Sequence, residues 1–162
     1  MKKVAIVMGS QSDYPIVKKV EEQLSAFGVL YQTRVLSAHR TPAQAAAFAS
    51  GAKDAGFGAI IAAAGKAAAL PGALAAMTTL PVIGLPIASS FMDGLDSLLS
   101  MVQMPSGIPV ATVAVNGAQN AALIAIQMLA IEDAALAEKL QAHRLEMEQA
   151  VLRADQEMQQ KA

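Results

Sequence analysis

Short, unbroken apolar runs alternate with stretches of helical periodicity along this chain, and no other feature narrows its fold so far. A strand that is apolar on both faces belongs to a parallel sheet covered by helices on each side. The run 4–8 is the first such strand and stops at Gly9-Ser10-Gln11-Ser12-Asp13. A helix is predicted over 14–27, with Val17, Val20 and Leu24 at helical spacing and Gly28 as its stop. Residues 29–36 make the second strand. Thr41 as N-cap and Pro42 at the first helical position then open a helix through 55, closed by Gly56. The alternation continues with a strand over 59–63, a turn at Gly65-Lys66, a helix over 71–77 and a strand over 82–85 ended by Pro86. A helix over 94–101, a turn at 104–107, a strand over 110–115, a loop or cap at 116–120 and a helix over 121–130 follow.

Five strands with crossover helices point to an α/β chain, a flavodoxin-like doubly wound five-stranded parallel sheet with an extended C-terminal helix. Right-handed crossovers make this the simplest topology available. At 162 residues one domain, 1–162, is expected. From Glu132 onward the sequence is charged and helical to the end, with Leu136, Leu140, Met147 and Val151 on one stripe. That stripe outruns a small sheet, so 132–162 is expected to pack on another subunit. A chain that is 54% hydrophobic yet poor in aromatics agrees, since so small a molecule hides such an excess between copies of itself. The alanine-rich tract 59–76 is no membrane span: it holds Gly65, Lys66, Pro71 and Gly72, and alanine is too weakly apolar to insert.

Charge and composition remove several function classes. A net charge of -1 with scattered Lys and Arg forms no basic stripe, so neither nucleic acid nor membrane is an expected partner. Cysteine is absent, which excludes disulfides, thiolate nucleophiles and Cys-ligated metals. The two histidines, His39 and His143, would need distant carboxylates to hold zinc, so no metal site is expected. The first apolar run is too short for a signal peptide, and a cytoplasmic protein is expected.

Chemistry concentrates in the loops after the first three strands, where open α/β sheets bind ligands. Gly9 to Asp13 opens a helix and offers the Ser10 and Ser12 hydroxyls at a positive helix end, which suits a phosphate. The loop is neither a Walker loop nor a G-x-G-x-x-G dinucleotide loop, and helix capping by Ser12 or Asp13 accounts for it equally well. Asp13 suits ribose hydroxyls. Ser37-Ala38-His39-Arg40 sets an imidazole able to move protons near neutral pH beside a cation for phosphate or carboxylate. Lys66 stands on the third loop. A phosphorylated, ribose-containing small molecule is the ligand class these groups suit.

Residues 7–13 (VMGSQSD), 37–42 (SAHRTP), 70–72 (LPG), 81–86 (PVIGLP) and 96–113 (DSLLSMVQMPSGIPVATV) closely resemble the PurE family, the N5-carboxyaminoimidazole ribonucleotide mutases of purine synthesis. The match runs in order from about Val4 to Ala130. The resemblance implies a flavodoxin-like subunit in a homo-octamer, with each active site completed by neighbours and a C-terminal helix reaching across an interface. It further implies transfer of a carboxylate from nitrogen to carbon C4 of an aminoimidazole ribonucleotide, through trapped carbon dioxide and without metal or organic cofactor. By position Ser10, Asp13 and Arg40 match substrate-binding residues, Ser12 and Ser37 lie in the same motifs, and His39 matches the general acid/base.

One segment departs from the family. Where the mutases resemble Gly-Gly-Ala-Ala-His-Leu-Pro-Gly, residues 65–72 read GKAAALPG, so Lys66 replaces a glycine and Ala69 replaces a second active-site histidine. The related carboxylase branch has Gly-Arg-Ser-Asn there, which Lys66 matches in charge but not in motif. Three readings follow. The mutase reaction persists, with Lys66 in the substrate site supplying charge that the missing histidine no longer provides; or the chemistry moves to direct carboxylation of aminoimidazole ribonucleotide or decarboxylation of its product; or the chain is a non-catalytic ribonucleotide-binding or assembly paralogue.

Overall fold

A computed structural model describes residues 2–161; Met1 and Ala162, the two ends of the expected domain, lie outside the described residues. Five strands form one sheet: β1 (Lys3–Met8), β2 (Tyr31–Val35), β3 (Phe57–Gly65), β4 (Val82–Ile87) and β5 (Ala111–Thr112). Their order is β2-β1-β3-β4-β5 and every pairing is parallel. The helices are α1 (Tyr14–Ala26), α2 (Pro42–Gly51), α3 (Leu70–Ala75), α4 (Leu95–Val102), α5 (Ala118–Ala130) and α6 (Ala134–Gln159). This is the flavodoxin-like α/β sheet expected from the alternation, with its order reversing between β1 and β3.

Side-chain parity along the strands splits the interior in two, because successive residues of a strand face opposite sides. Val4, Ile6 and Met8 of β1 join Ile61 and Leu85 against Val17, Val20 and Leu24 of α1 and Ala122 and Ile126 of α5. Ala5 and Val7 face the other way, with Ile60, Ala62 and Val82, toward Ala45 and Ala49 of α2, Leu74 of α3 and Met101 of α4. Alanine on both sheet and helix lets these layers lie close. At Gly84 the approach is such that a β-carbon would stand 3.1 Å from the Met101 sulfur.

Several local expectations shift. Pro86 does not end β4, which runs on to Ile87 with Pro86 paired to Ala64 of β3. Gly84 turns its carbonyl to Val113, and Pro86, two residues on, turns its carbonyl the same way to the N–H of Asn116 at 2.8 Å. The proline therefore presents its missing N–H beyond the end of the two-residue β5, where no ladder partner is deprived. β5 is an edge strand far shorter than the expected 110–115. Thr41 stands at the N-cap of α2 without capping it: its hydroxyl accepts from the Ser37 N–H at 2.9 Å and closes the preceding loop instead.

The tail is helical as expected, and most of it is exposed. At 1.5 Å per residue its 26 residues span about 39 Å. Leu136 is buried, Leu140 packs against the core, and Lys139 Nζ donates to the Phe27 carbonyl at 2.9 Å. His143 meets the Phe27 ring edge-on, 5.4 Å between centroids. Beyond that turn Leu145, Met147, Val151, Leu152 and Met158 are all exposed. No helix among the described residues is long and apolar enough to cross a membrane.

Candidate functional site

The carboxyl ends of β1, β2, β3 and β4 open onto one cavity of about 560 Å³. Every residue expected to act there lines it: Ser10, Ser12 and Asp13 after β1, Ser37, His39 and Arg40 after β2, and Lys66 after β3. The strand order brings them together, since β1 sits between β2 and β3.

After β1 the chain is extended at Ser10 (φ -151, ψ 148), then turns through a single 3-10 turn (Gln11–Asp13) into α1. The Ser10 Oγ accepts from the Ser12 N–H at 3.3 Å and from the Ser12 hydroxyl at 2.9 Å. Asp13 is 9% exposed. Burial pushes its carboxyl above the ordinary 3.8, and hydrogen bonds from the Ser12 side chain and the Ser10 backbone only partly oppose this.

The β2 loop is tied to the β1 loop before any ligand arrives. The Arg40 backbone N–H donates to Ser37 Oγ at 3.1 Å, its Nε donates to the same oxygen at 3.4 Å, and Nη2 donates to the Gly9 carbonyl at 2.9 Å. A guanidinium has five donors, so Arg40, which lines the cavity, keeps donors to spare. His39 rides on the same turn, exposed, and its ring takes no hydrogen bond among the described residues. Neither nitrogen is committed.

Lys66 follows the last residue of β3 and holds φ +56. That is the left-handed region which a residue with a β-carbon enters at a cost of about 1 kcal/mol and glycine enters freely. Two tight turns follow, Ala68 N–H to the Lys66 carbonyl at 2.8 Å and Ala69 N–H to the Ala67 carbonyl at 2.7 Å. The Lys66 ammonium is exposed and forms no ion pair or hydrogen bond among the described residues. Ala69 lines the same cavity.

The fourth wall, Ile87 to Ser90 after β4, was not foreseen. Asn116 (φ +58) holds it, accepting from the Ala88 N–H with Oδ1 at 3.0 Å, while Ser89 donates to the Asp96 carboxylate at 3.0 Å. Reading Pro86 as a strand end hid this loop. Applying the strand-end rule to β4 as well as to β1–β3 would have found it.

The cavity thus carries two cationic side chains, Arg40 and Lys66, one buried carboxyl disposed to stay protonated longer than usual, a helix N-terminus, one free imidazole and walls of alanine. That set suits an anionic, hydroxyl-bearing small molecule and a proton transfer upon it.

Comparison with known proteins agrees. The family model described as AIR carboxylase matches residues 3–150. The chain is 53% identical over 147 residues to the N5-carboxyaminoimidazole ribonucleotide mutase of Pyrococcus abyssi, covering 91% of this chain and 84% of that one. It is 49% identical over 150 residues to the chloroplastic phosphoribosylaminoimidazole carboxylase of Vigna aconitifolia, covering 93% of this chain but 27% of that longer one. The crystal structure of Treponema denticola PurE superposes with a TM-score of 0.88 at 28% identity, over 95% of this chain and 96% of that one.

Proposed function

The chain belongs to the AIR carboxylase family, and on that premise we propose that it is a purine-biosynthesis isomerase interconverting N5-carboxyaminoimidazole ribonucleotide and 4-carboxy-5-aminoimidazole ribonucleotide. One observation carries the reading. A histidine with both ring nitrogens uncommitted stands in a cavity whose adjoining loops, cross-linked by Arg40, offer hydroxyls and charge for a ribose phosphate.

The phosphate sits at the start of α1, held by Ser10, Ser12 and Arg40, and Ser37 keeps the guanidinium in place. Asp13 accepts from the ribose hydroxyls. The N–C bond of the carbamate breaks with its electron pair moving to nitrogen, which leaves neutral carbon dioxide against the alanine walls. His39 gives a proton to that nitrogen, C4 of the ring attacks the carbon, and His39 takes the C4 proton back, so the two ribonucleotides are isomers. Confinement matters because carbon dioxide held in reacting geometry recombines before it diffuses away. Lys66 is part of the substrate site.

The oligomer belongs to the proposal as well. The exposed apolar stripe of α6 supports packing of 132–162 on a neighbouring copy within a homo-octamer whose subunits complete one another's sites. A cytoplasmic location is proposed with it.

Ala69 favours a second reading. Without the histidine that the mutases resemble at this position, the site is suited to carboxylating aminoimidazole ribonucleotide directly or to decarboxylating its product. One assay separates the readings. Purified protein is given the N5-carboxylated substrate, then aminoimidazole ribonucleotide with bicarbonate, then the C4-carboxylated product. Conversion of the first to the C4-carboxylated product supports the mutase. Interconversion of the other two without it replaces the mutase by a carboxylase, and inertness in all three leaves a binding paralogue.

A further inference from the structure

We infer that Lys66 is the residue that recognises the migrating carboxylate, and that through it the site selects carboxylated over bare aminoimidazole ribonucleotide; this rests on the ribonucleotide reading above. The first observation is conformational. Lys66 occupies φ +56 at the end of β3, a place where glycine is at ease and a lysine is strained. Backbone strain of this kind persists where surrounding structure enforces it, and it concentrates at binding and catalytic positions. The second observation is placement. β2 and β3 flank β1, so Arg40 and Lys66 stand on loops roughly 10 Å apart across the sheet, two strand spacings. The Arg40 guanidinium reaches over to the Gly9 carbonyl at the end of β1, so a ligand with an anion at each end, a phosphate and a carboxylate joined through a sugar and a ring, has one cation at the end of β1 and a second after β3 to engage. The third is availability. Arg40 is already tethered to Gly9 and Ser37, whereas Lys66 lines the cavity with no anionic partner among the described residues. Asp13, the carboxyl sharing the cavity, pairs with Ser12 rather than with Lys66.

The chemistry defines what such a cation does. Substrate and product each carry a carboxylate, on nitrogen and on C4, so an ammonium at this place attracts both. Carbon dioxide, between them, is neutral and gains nothing from it. Lys66 therefore strengthens ground-state binding and does not favour the bond-breaking step, which is the behaviour of a specificity residue.

The test compares wild type, Lys66→Gly, Lys66→Gln and Lys66→Arg by calorimetric binding of two nucleotides, the C4-carboxylated ribonucleotide and aminoimidazole ribonucleotide. Gly and Gln are expected to weaken the carboxylated ligand about tenfold or more while leaving the bare one within about twofold, and Arg to retain most of the preference. In turnover KM rises with kcat unchanged or higher. Lys66→Gly, freed of the left-handed strain, melts above wild type, so weaker binding is not misfolding. Equal weakening of both nucleotides, or a fall in kcat at constant KM, overturns the assignment. Failure of the ribonucleotide reading has a different signature: wild type then binds neither nucleotide. A wild type that binds both while Lys66→Gln binds them unchanged condemns the role of Lys66 alone.

Discussion

His39 and Asp13 lie in the same cavity and answer to opposite physics. The imidazole is exposed and makes no hydrogen bond among the described residues, so replacing it removes chemistry without disturbing the fold. His39→Asn is expected to lower kcat by about 10²–10⁴, the usual contribution of a positioned acid/base, with an unchanged melting temperature and unchanged affinity for the product. Asp13 is buried, and its raised pKa links protonation to folding. Above the ordinary 3.8 the folded chain keeps a proton that the unfolded chain has released. The stabilisation this brings is full at lower pH and is lost as pH climbs through the folded-state pKa. Asp13→Asn should flatten that decline in urea titrations taken upward from about pH 4, and weaken nucleotide binding. A decline identical in both proteins places the titration elsewhere. These residues could be picked out from the sequence because short loops after strands expose their side chains, and because residue type declares their chemistry. Whether Lys66 faced the cavity could not be read in the same way. Its direction depends on a left-handed backbone angle, and residue 66, a lysine, does not advertise one.

At the scale of elements, unbroken apolar runs marked β1, β3 and β4, since burial on both faces leaves no room for polar interruption, whereas β2, YQTRV, is mostly exposed. The ends were harder to read. Pro86 breaks strands that need its N–H, yet here that position faces past the short β5, a fact of strand length and order rather than of local sequence. Thr41 has the side chain of a cap but spends it on Ser37, four residues back. The consequence is greatest at Asn116, a residue outside the cavity that links the turn before α5 to the unforeseen fourth wall. Asn116→Ala loses the bond to the Ala88 N–H and places a β-carbon without amide at φ +58, a destabilisation of about 1–2 kcal/mol by urea unfolding. Asn116→Gly loses the same bond without the conformational penalty, so it should be the milder variant. Both should raise KM through a loosened 88–90 loop, and a ranking with Gly worse than Ala would show that backbone strain at 116 is not limiting.

For the whole molecule the uncovered half of α6 is the feature that the subunit alone does not explain. A double change, Met147→Glu with Val151→Arg, puts two charges on the exposed stripe while forming an i,i+4 pair that supports the isolated helix. Helical content should stay the same and the subunit stay folded, while light scattering reports a smaller assembly. If neighbours complete each site, activity falls with it. An unchanged mass would leave the stripe without its proposed partner. Single-chain periodicity revealed that stripe but not how little of it the subunit covers, because coverage depends on where the helix leaves the sheet. That departure follows Leu136, Leu140 and His143, after which no core residue accompanies it.

The place of β1 between β2 and β3 also bears on how the chain is made. Its partners are β2 and β3, and β3 begins only at Phe57. A nascent chain leaving the ribosome amino end first can pair β1 with β2 early, yet the other edge of β1 stays open until some sixty residues have emerged. During that interval one edge of this apolar strand stays unpaired. Synthesis speed across β2 and α2 therefore sets how long this buried strand is exposed to other chains.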